Sequence, residues 1–370
     1  MANPLSFLSG FFQKDGESVL GVDLGASSIK VVQLKKKKGK AVLETYGEVA
    51  LGPYAQLSIG QATNLPPDVV ATALKDVCKE ANVTARKAAL SVPLQASLVS
   101  LVDIPLPPDA NLAQMIPLEA RKYIPVPVSE VTLDWWVIPK RQNGFDDSLS
   151  AEKTPEEDKK AKTSEVLLVA IHNAMLDRVK SIVADAAFES GLFEIESFSA
   201  VRSVMGDELT PTLLLDIGAA STKIIIVDYG IVRISHVVSK GGQDITLALS
   251  KSLGITFDEA EEKKRTPGVI GSSDVIGSIL EFLFYEASQV ISSYQKKYQR
   301  SIGKVYLVGG GALLPGLAEE AKKRFGVDAH LGTPFTKTET PAFLEQVLSR
   351  AGPEFAVAVG LALRRLQDSK

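Results

Sequence analysis

Two stretches of this 370-residue chain place the same residue types in the same order. The first is Gly21-Val22-Asp23-Leu24-Gly25-Ala26-Ser27-Ser28-Ile29-Lys30, and the second is Leu215-Asp216-Ile217-Gly218-Ala219-Ala220-Ser221-Thr222-Lys223-Ile224. In each, an acid ends an apolar strand, a turn of small residues follows, and a hydroxyl and a lysine open a second β-rich strand. That set suits phosphate. Gly25 and Gly218 are expected to take positive φ and, with Ala26, Ser27 and Ala219 beside them, to let successive N–H groups face phosphate oxygens. Ser28, Ser221 and Thr222 add hydroxyl donors, and Lys30 and Lys223 add charge. Asp23 and Asp216 sit where a nucleotide's Mg²⁺ is held, usually through water. One such turn alone is more often a plain hairpin; two in register imply related halves facing one ligand.

Two further turns fit the same ligand. Gly241-Gly242 leads into a helix, and Gly309-Gly310-Gly311 follows the apolar run Val305 to Val308. Bare backbone after a strand can lie against a purine or an α-phosphate, although such turns also serve packing alone.

These turns must be carried by regular elements. Alternation from Val19 to about Val49 gives three antiparallel strands. Pro66-Pro67-Asp68 opens a helix to about Ala81. Ala88 to Val92 and Leu98 to Ile104 read as strands, Asn111 to about Tyr123 as a helix stopped by Ile124-Pro125. Val131 to Pro139 and Glu165 to Ile171 read as paired strands flanking the charged, apolar-poor stretch from Lys140 to Ser164, expected to be a mobile loop. Asn173 to about Ser190 has helical spacing and a Gly191 cap. Phe193 to Ile195 is a short strand, Glu196 to Val204 a helix. The second half then runs through its hairpin, the strand Val232 to Val238, helices over Asp244–Leu253, Phe257–Lys264 and Val275–Tyr298, and a last helix near 355–366. Its Ala356, Ala358, Gly360 and Ala362 suit a helix that passes close to a strand or a ligand.

Composition narrows the function classes. A net charge of −3 argues against a nucleic-acid binder, and the run Lys35 to Lys38 before Gly39 reads as a solvated turn. A single cysteine rules out a disulfide framework or thiolate cluster, and the three scattered histidines point to structural roles. No uninterrupted apolar run approaches bilayer length and no secretory signal is read, so the expected compartment is the cytoplasm. The greasy start, Leu5 to Phe12, is expected to pack on the chain's own first domain.

The order of these motifs resembles the actin, sugar kinase and Hsp70 ATPase superfamily over nearly the whole chain. The implied fold is α/β, with actin-like, ribonuclease H-like duplicated domains closing over ATP and Mg²⁺. Ala260-Glu261-Glu262-Lys263-Lys264 is similar to the helix that contacts ribose and base in bacterial actin-like members, with Glu261 and Lys264 on one face. Gly309, Gly310 and Gly311 match the adenosine turn. Within the superfamily, Ile104-Pro105-Leu106-Pro107, Glu119-Ala120-Arg121-Lys122-Tyr123-Ile124-Pro125, Glu130-Val131, Leu133-Asp134, Leu167-Leu168-Val169-Ala170 and Ile195-Glu196-Ser197-Phe198 resemble the PilM family of type IV pilus assembly proteins, relatives of FtsA. The implied division is a first half over 1–205, containing an inserted PilM/FtsA-type subdomain at about 88–172, and a second half over 206–370.

The resemblance implies ATP binding and capture of the N-terminal cytoplasmic peptide of a PilN-like membrane protein, and through it PilO. It leaves room for pilus motor or platform proteins and for self-association. The implied location is the inner face of the cytoplasmic membrane, reached through partners. A peptide groove is expected between the first subdomain and the inserted one, near Leu90 to Leu101 and the Glu119 to Pro125 turn. For hydrolysis the sequence offers only Asp216 and Glu196 to position water, so turnover is expected to be slow or absent. Two alternatives share these motifs. A small-molecule kinase needs a second substrate pocket, for which the Pro-rich insert is poorly suited, and an FtsA-like filament is expected to carry a basic amphipathic membrane helix not read here.

Overall fold

The computed structural model describes residues 16–105, 111–138, 163–267 and 274–368. The chain opens with β1 (Ser18–Leu24), β2 (Ser28–Lys37) and β3 (Lys40–Ala50), followed by α1 (Pro67–Glu80) and β4 (Lys87–Val92). It then makes β5 (Ser97–Pro105), α2 (Leu112–Ala120), β6 (Val131–Val137) and β7 (Thr163–His172), and returns through α3 (Asn173–Asp185), β8 (Glu189–Ile195) and α4 (Glu196–Val204). The second half contains β9 (Thr212–Ile217), β10 (Thr222–Asp228), β11 (Ile231–Val238), α5 (Gly242–Leu253), α6 (Phe257–Lys264) and α7 (Asp274–Tyr298). It ends with β12 (Lys304–Val308), α8 (Leu317–Phe325), β13 (Asp328–Leu331), α9 (Glu345–Ala351) and α10 (Ala356–Asp368).

The duplication seen in the motifs extends to whole sheets. The first has the order β3-β2-β1-β4-β8 and the second the order β11-β10-β9-β12-β13, each an antiparallel three-strand meander extended by two parallel strands. The central strands are buried on both faces, which explains why β9 and β10 are nearly continuous apolar runs. α1 and α3 cover one face of the first sheet through Leu74, Val77, Val179 and Ile182. In the second half, α5 and α7 pack on β9 and β10 through Ile245, Leu249, Leu280 and Phe284. α7 is long and apolar enough to pass as a membrane span by length and composition. Its stripe from Ile276 to Tyr294 nevertheless packs in the core of the second half, the place of a core helix.

A third sheet, β5-β7-β6, is antiparallel and carries α2 on its own small core of Val102, Ile104, Ile116, Leu168 and Ala170. Its start corrects the expected boundary of the insert at about 88. Ala88 to Val92 belong to β4, inside the first sheet and parallel to β1, because this buried apolar run suits a central parallel strand. The third sheet begins at Ser97. The helix expected to reach Gly191 ends instead at Asp185, where Ala187 takes a left-handed φ of 61° and Gly191 lies within β8. A small non-glycine residue made that cap hard to read. The greasy start and most of the charged stretch expected to be a loop, up to residue 162, lie outside the described residues; Thr163 and Ser164 already belong to β7.

Candidate functional site

Both hairpin turns are closed by the same backbone hydrogen bond. Gly25 N–H donates to the Ser28 carbonyl at 3.0 Å, and Gly218 N–H to the Ser221 carbonyl at 2.9 Å. Neither glycine adopts the positive φ expected of it. The small residue is needed instead for closeness, since a Cβ on Gly25 would lie 2.8 Å from the Ser28 oxygen. The carbonyls of Ala26 and Ser27 accept from Thr63 and Leu51, and those of Gly218 and Ala219 from Gly242 and Gln243. The carbonyl edge of each turn is thus committed to protein amides, which favours presenting the N–H edge to an anion.

The two turns face one cleft of about 820 Å³ lined by both halves. Asp23, Gly25, Ala26, Ser27, Ser28 and Lys30 line it from the first half, and Asp216, Gly218, Ala219, Ser221, Lys223 and Gly242 from the second. Glu261, Lys264 and the three glycines Gly309, Gly310 and Gly311 complete the predicted set, and Glu196 joins them from the start of α4. Thr222 is the exception: its hydroxyl donates to the Lys240 carbonyl at 2.8 Å and the residue does not line the cleft.

The three glycines divide between packing and exposure. A Cβ on Gly309, whose φ is +82°, would meet the Ile217 carbonyl at 2.5 Å, and one on Gly311 the Ile217 side chain at 2.3 Å. Both are pressed on the end of β9. Gly310 would meet only Glu354, at 3.7 Å, and offers the bare surface to the cleft. Glu261 and Lys264 share a face of α6 but bind each other at 2.6 Å, and Lys264 also donates to the Gly242 carbonyl and the Thr246 hydroxyl. Together they brace the start of α5 against the second turn.

Charge at the floor is unevenly balanced. Lys30 pairs with Glu48 at 2.9 Å and donates to the Ser28 hydroxyl at 2.7 Å. Lys223 lies between Glu196 at 2.9 Å and Asp216 at 3.5 Å. Burial alone would depress its ammonium, but Asp216 and Glu196 outweigh burial and hold it well above the usual lysine range. Asp23 accepts from the Ser91 hydroxyl at 3.1 Å, and Ser91 in turn accepts from Leu24 N–H at 2.8 Å. Burial pushes the Asp23 carboxyl up to about 6, with Glu196 and Asp216 adding to the rise against the pull of Lys30 and Lys223. Three carboxylates therefore share the floor with too little positive charge. Among the described residues no three acidic, histidine or cysteine side chains converge as direct metal ligands. An all-oxygen set with this excess of negative charge fits a hydrated Mg²⁺ held through water.

The Asp23 shift predicts a pH dependence. Its folded-state value lies above the ordinary 3.8, so between about pH 4 and pH 6 the folded protein binds the extra proton. Stability falls as pH rises through that window, and the deficit is complete above it. Asp23→Asn should therefore raise the unfolding free energy of the nucleotide-free protein by about 3 kcal/mol near pH 7.5. The gain should vanish toward about pH 4, as urea unfolding at both pH values would show.

Several lining residues escaped the sequence reading. Glu48 stands opposite Lys30 in the β2–β3 register, and a charge at that hairpin position was the available signal. Ser91 lies one residue before the end of β4, beside Asp23, and Gln243 bridges the halves by accepting from Ala62 N–H at 3.0 Å. Glu354 and Arg265 also line the cleft. Gln243 and Arg265 each directly follow a motif residue, Gly242 and Lys264, whereas only the folded chain brings Ser91 and Glu354 to the motifs.

Residues 21–366 match a family model described as type IV pilus assembly protein PilM. The cell division protein FtsA of Streptococcus pneumoniae serotype 2 is 23% identical over 364 residues, covering 85% of this chain and 75% of that protein. Among solved structures, the PilM–PilN type IV pilus biogenesis complex superposes with a TM-score of 0.77 at 24% identity, over 94% of this chain and 98% of the other. MreB5 of Spiroplasma citri bound to ADP gives 0.50 at 12% identity, over 96% and 98%. The duplicated sheets around one cleft are the actin-like fold.

Proposed function

The chain belongs to the type IV pilus assembly protein PilM family, and from that premise we propose that it is an ATP-binding, actin-like component of the pilus inner-membrane alignment platform. The observation that carries the nucleotide reading is the pair of hairpins, closed by the same hydrogen bond and facing one cleft with an acid and a lysine each. The amide edges of both turns and Lys30 and Lys223 hold phosphates, Gly310 lies against the adenosine, and Asp23 and Asp216 hold hydrated Mg²⁺. The cation supplies the positive charge that the floor lacks. The MreB5 relative of like fold is bound to ADP.

The partner is the cytoplasmic N-terminal peptide of a PilN-like membrane protein, which leads on to PilO and keeps this chain at the inner face of the cytoplasmic membrane. The solved relative of like fold is a complex with PilN. The peptide's groove lies between the first actin-like half and the inserted sheet, beside the turn where Leu118 and Tyr123 are exposed. ATP acts chiefly as a clamp, shifting closure only by its differential affinity for the closed form. Without nucleotide, both oxygens of Glu196 are engaged, one by Leu94 N–H at 2.8 Å and one by Lys223, so the carboxylate must first be released before it can position water, which supports slow hydrolysis or none.

Calorimetric titration tests this reading. The protein should bind Mg-ATP, and Asp23→Ala and Asp216→Ala should each weaken binding by at least about tenfold. A synthetic peptide of the PilN-like N-terminus should then bind several-fold more tightly with nucleotide present than without. Equal peptide affinity in both states makes ATP a structural ligand only, and no peptide binding removes the partner assignment.

A further inference from the structure

The inserted sheet is rooted in the nucleotide cleft. β4 ends at Val92, and a short elbow from Pro93 to Ala96 leads into β5 at Ser97. The elbow is a closed unit, because Ala96 N–H and the Ser97 hydroxyl both donate to the Pro93 carbonyl at 3.1 Å. Pro93 and Gln95 line the cleft. Leu94 N–H donates to Glu196 Oε1 at 2.8 Å, and Glu196 Oε2 pairs with Lys223 Nζ at 2.9 Å. One carboxylate thus ties the root of the inserted sheet to the second half's phosphate hairpin.

The strand beside that hairpin, β11, grips the same sheet elsewhere. Lys223 in β10 stands opposite Val237 in β11. From β11, Arg233 reaches Glu165 of β7 at 2.7 Å beneath the Tyr298 ring, and the Ser235 hydroxyl donates to the Val99 carbonyl of β5 at 3.3 Å. Lys223 also lies under the second turn, its ammonium 3.6 Å from where a Gly218 side chain would start. A phosphate on that turn brings oxyanions that compete with Glu196 for this ammonium.

We propose that Lys223 and Glu196 form a phosphate-operated latch. Without nucleotide, Lys223 holds Glu196, and Glu196 holds the elbow. A nucleotide phosphate takes the ammonium, Glu196 loses its partner, and the elbow and β5 shift relative to β11. Glu196 is then a positioning residue for the inserted sheet. The latch rests on the nucleotide reading above, and names the residues through which the cleft and the peptide-binding sheet communicate.

The chain carries its own reporter. Its two tryptophans, Trp135 and Trp136, are neighbours in β6 of the inserted sheet, and Trp136 also lines a second cleft of about 400 Å³ between that sheet and β11. In the full chain, saturating Mg-ATP should shift the tryptophan emission, and adenosine, which lacks phosphate, should not. Glu196→Gln should show the shifted emission before any nucleotide is added, with no further change on Mg-ATP. In the unmutated protein, amide hydrogen exchange over 94–101 should quicken several-fold with Mg-ATP, a measurement that needs no variant to fold. Mg-ATP binding with silent tryptophans and unchanged exchange over 94–101 overturns the latch and leaves the nucleotide reading standing. A Glu196→Gln protein that responds like the unmutated one overturns it as well. Absence of Mg-ATP binding by calorimetry overturns both.

Discussion

Lys223→Met is expected to destabilise the nucleotide-free protein by about 3 kcal/mol, because it strips the shared counter-ion from two buried carboxylates. Asp216 and Glu196 have side chains only 7% and 12% exposed, and Lys223 lies 3.5 Å and 2.9 Å from them. Methionine keeps the length and apolar stem of lysine, so packing is nearly conserved and the loss is electrostatic. The same exchange should weaken Mg-ATP binding on the order of a hundredfold, the equivalent of about 3 kcal/mol. The sign with pH is fixed by the direction of the shift. Lys223 is held above its ordinary 10.5, so its contribution is complete below that value and lost only as pH rises through the higher folded-state value. The gap between Lys223→Met and the unmutated protein should therefore be flat from about pH 6 to pH 9 as far as this group is concerned. Urea unfolding across that window checks the stability, and calorimetry the affinity. A loss under about 1 kcal/mol would mean that water already screens the cluster.

How much of this site was legible depends on what each residue does. Asp23, Asp216 and the residues after them could be read because one local pattern occurs twice, and each turn is positioned by its own hairpin. The strands that carry them were legible for the same reason, since each turn joins two neighbouring antiparallel strands. The pairing of Lys223 with Glu196 was not, whereas Asp216 stands opposite Lys223 in its own hairpin. Glu196 opens a helix that precedes β9, and nothing in its spacing from Lys223 reveals an ion pair made across the cleft. Thr222 shows the converse failure. It belongs to the repeated pattern, yet the alternation of side chains along β10 carries its hydroxyl to the Lys240 carbonyl. The insert's start was misplaced because a central parallel strand and the first strand of an insertion look alike as short apolar runs.

The small residues of the last helix were readable as a sign of close approach, and the structure turns that sign into a test in which two effects have opposite directions. Gly360 sits inside α10, where helix propensity alone favours alanine by about 1 kcal/mol. Packing opposes it. A Cβ at 360 would lie 1.9 Å from the Ser199 carbonyl oxygen and 2.5 Å from its carbon, both backbone atoms of α4 that no side-chain rotation can move. On α10's other side, a Cβ at Gly21 of β1 would meet the Ala358 carbonyl at 2.0 Å, so the helix cannot retreat from α4 without losing its seat on the first sheet. Arg202 tightens the joint by donating to the Gly360 carbonyl at 3.2 Å while pairing with Glu194 at 2.6 Å. Overpacking of this kind costs up to about 3 kcal/mol and exceeds the propensity gain. Gly360→Ala is therefore expected to destabilise the protein by about 2 kcal/mol, and Gly360→Val by at least about 3, measured by urea unfolding. Because Ala356 and Val357 at the start of α10 line the cleft, the alanine variant should also bind Mg-ATP more weakly. A stabilised Gly360→Ala protein would mean that propensity wins and that α10 is free to slide. If it is destabilised, the close contact of α10 with β1 and α4 outweighs helix propensity and fixes the helix between the first sheet and α4.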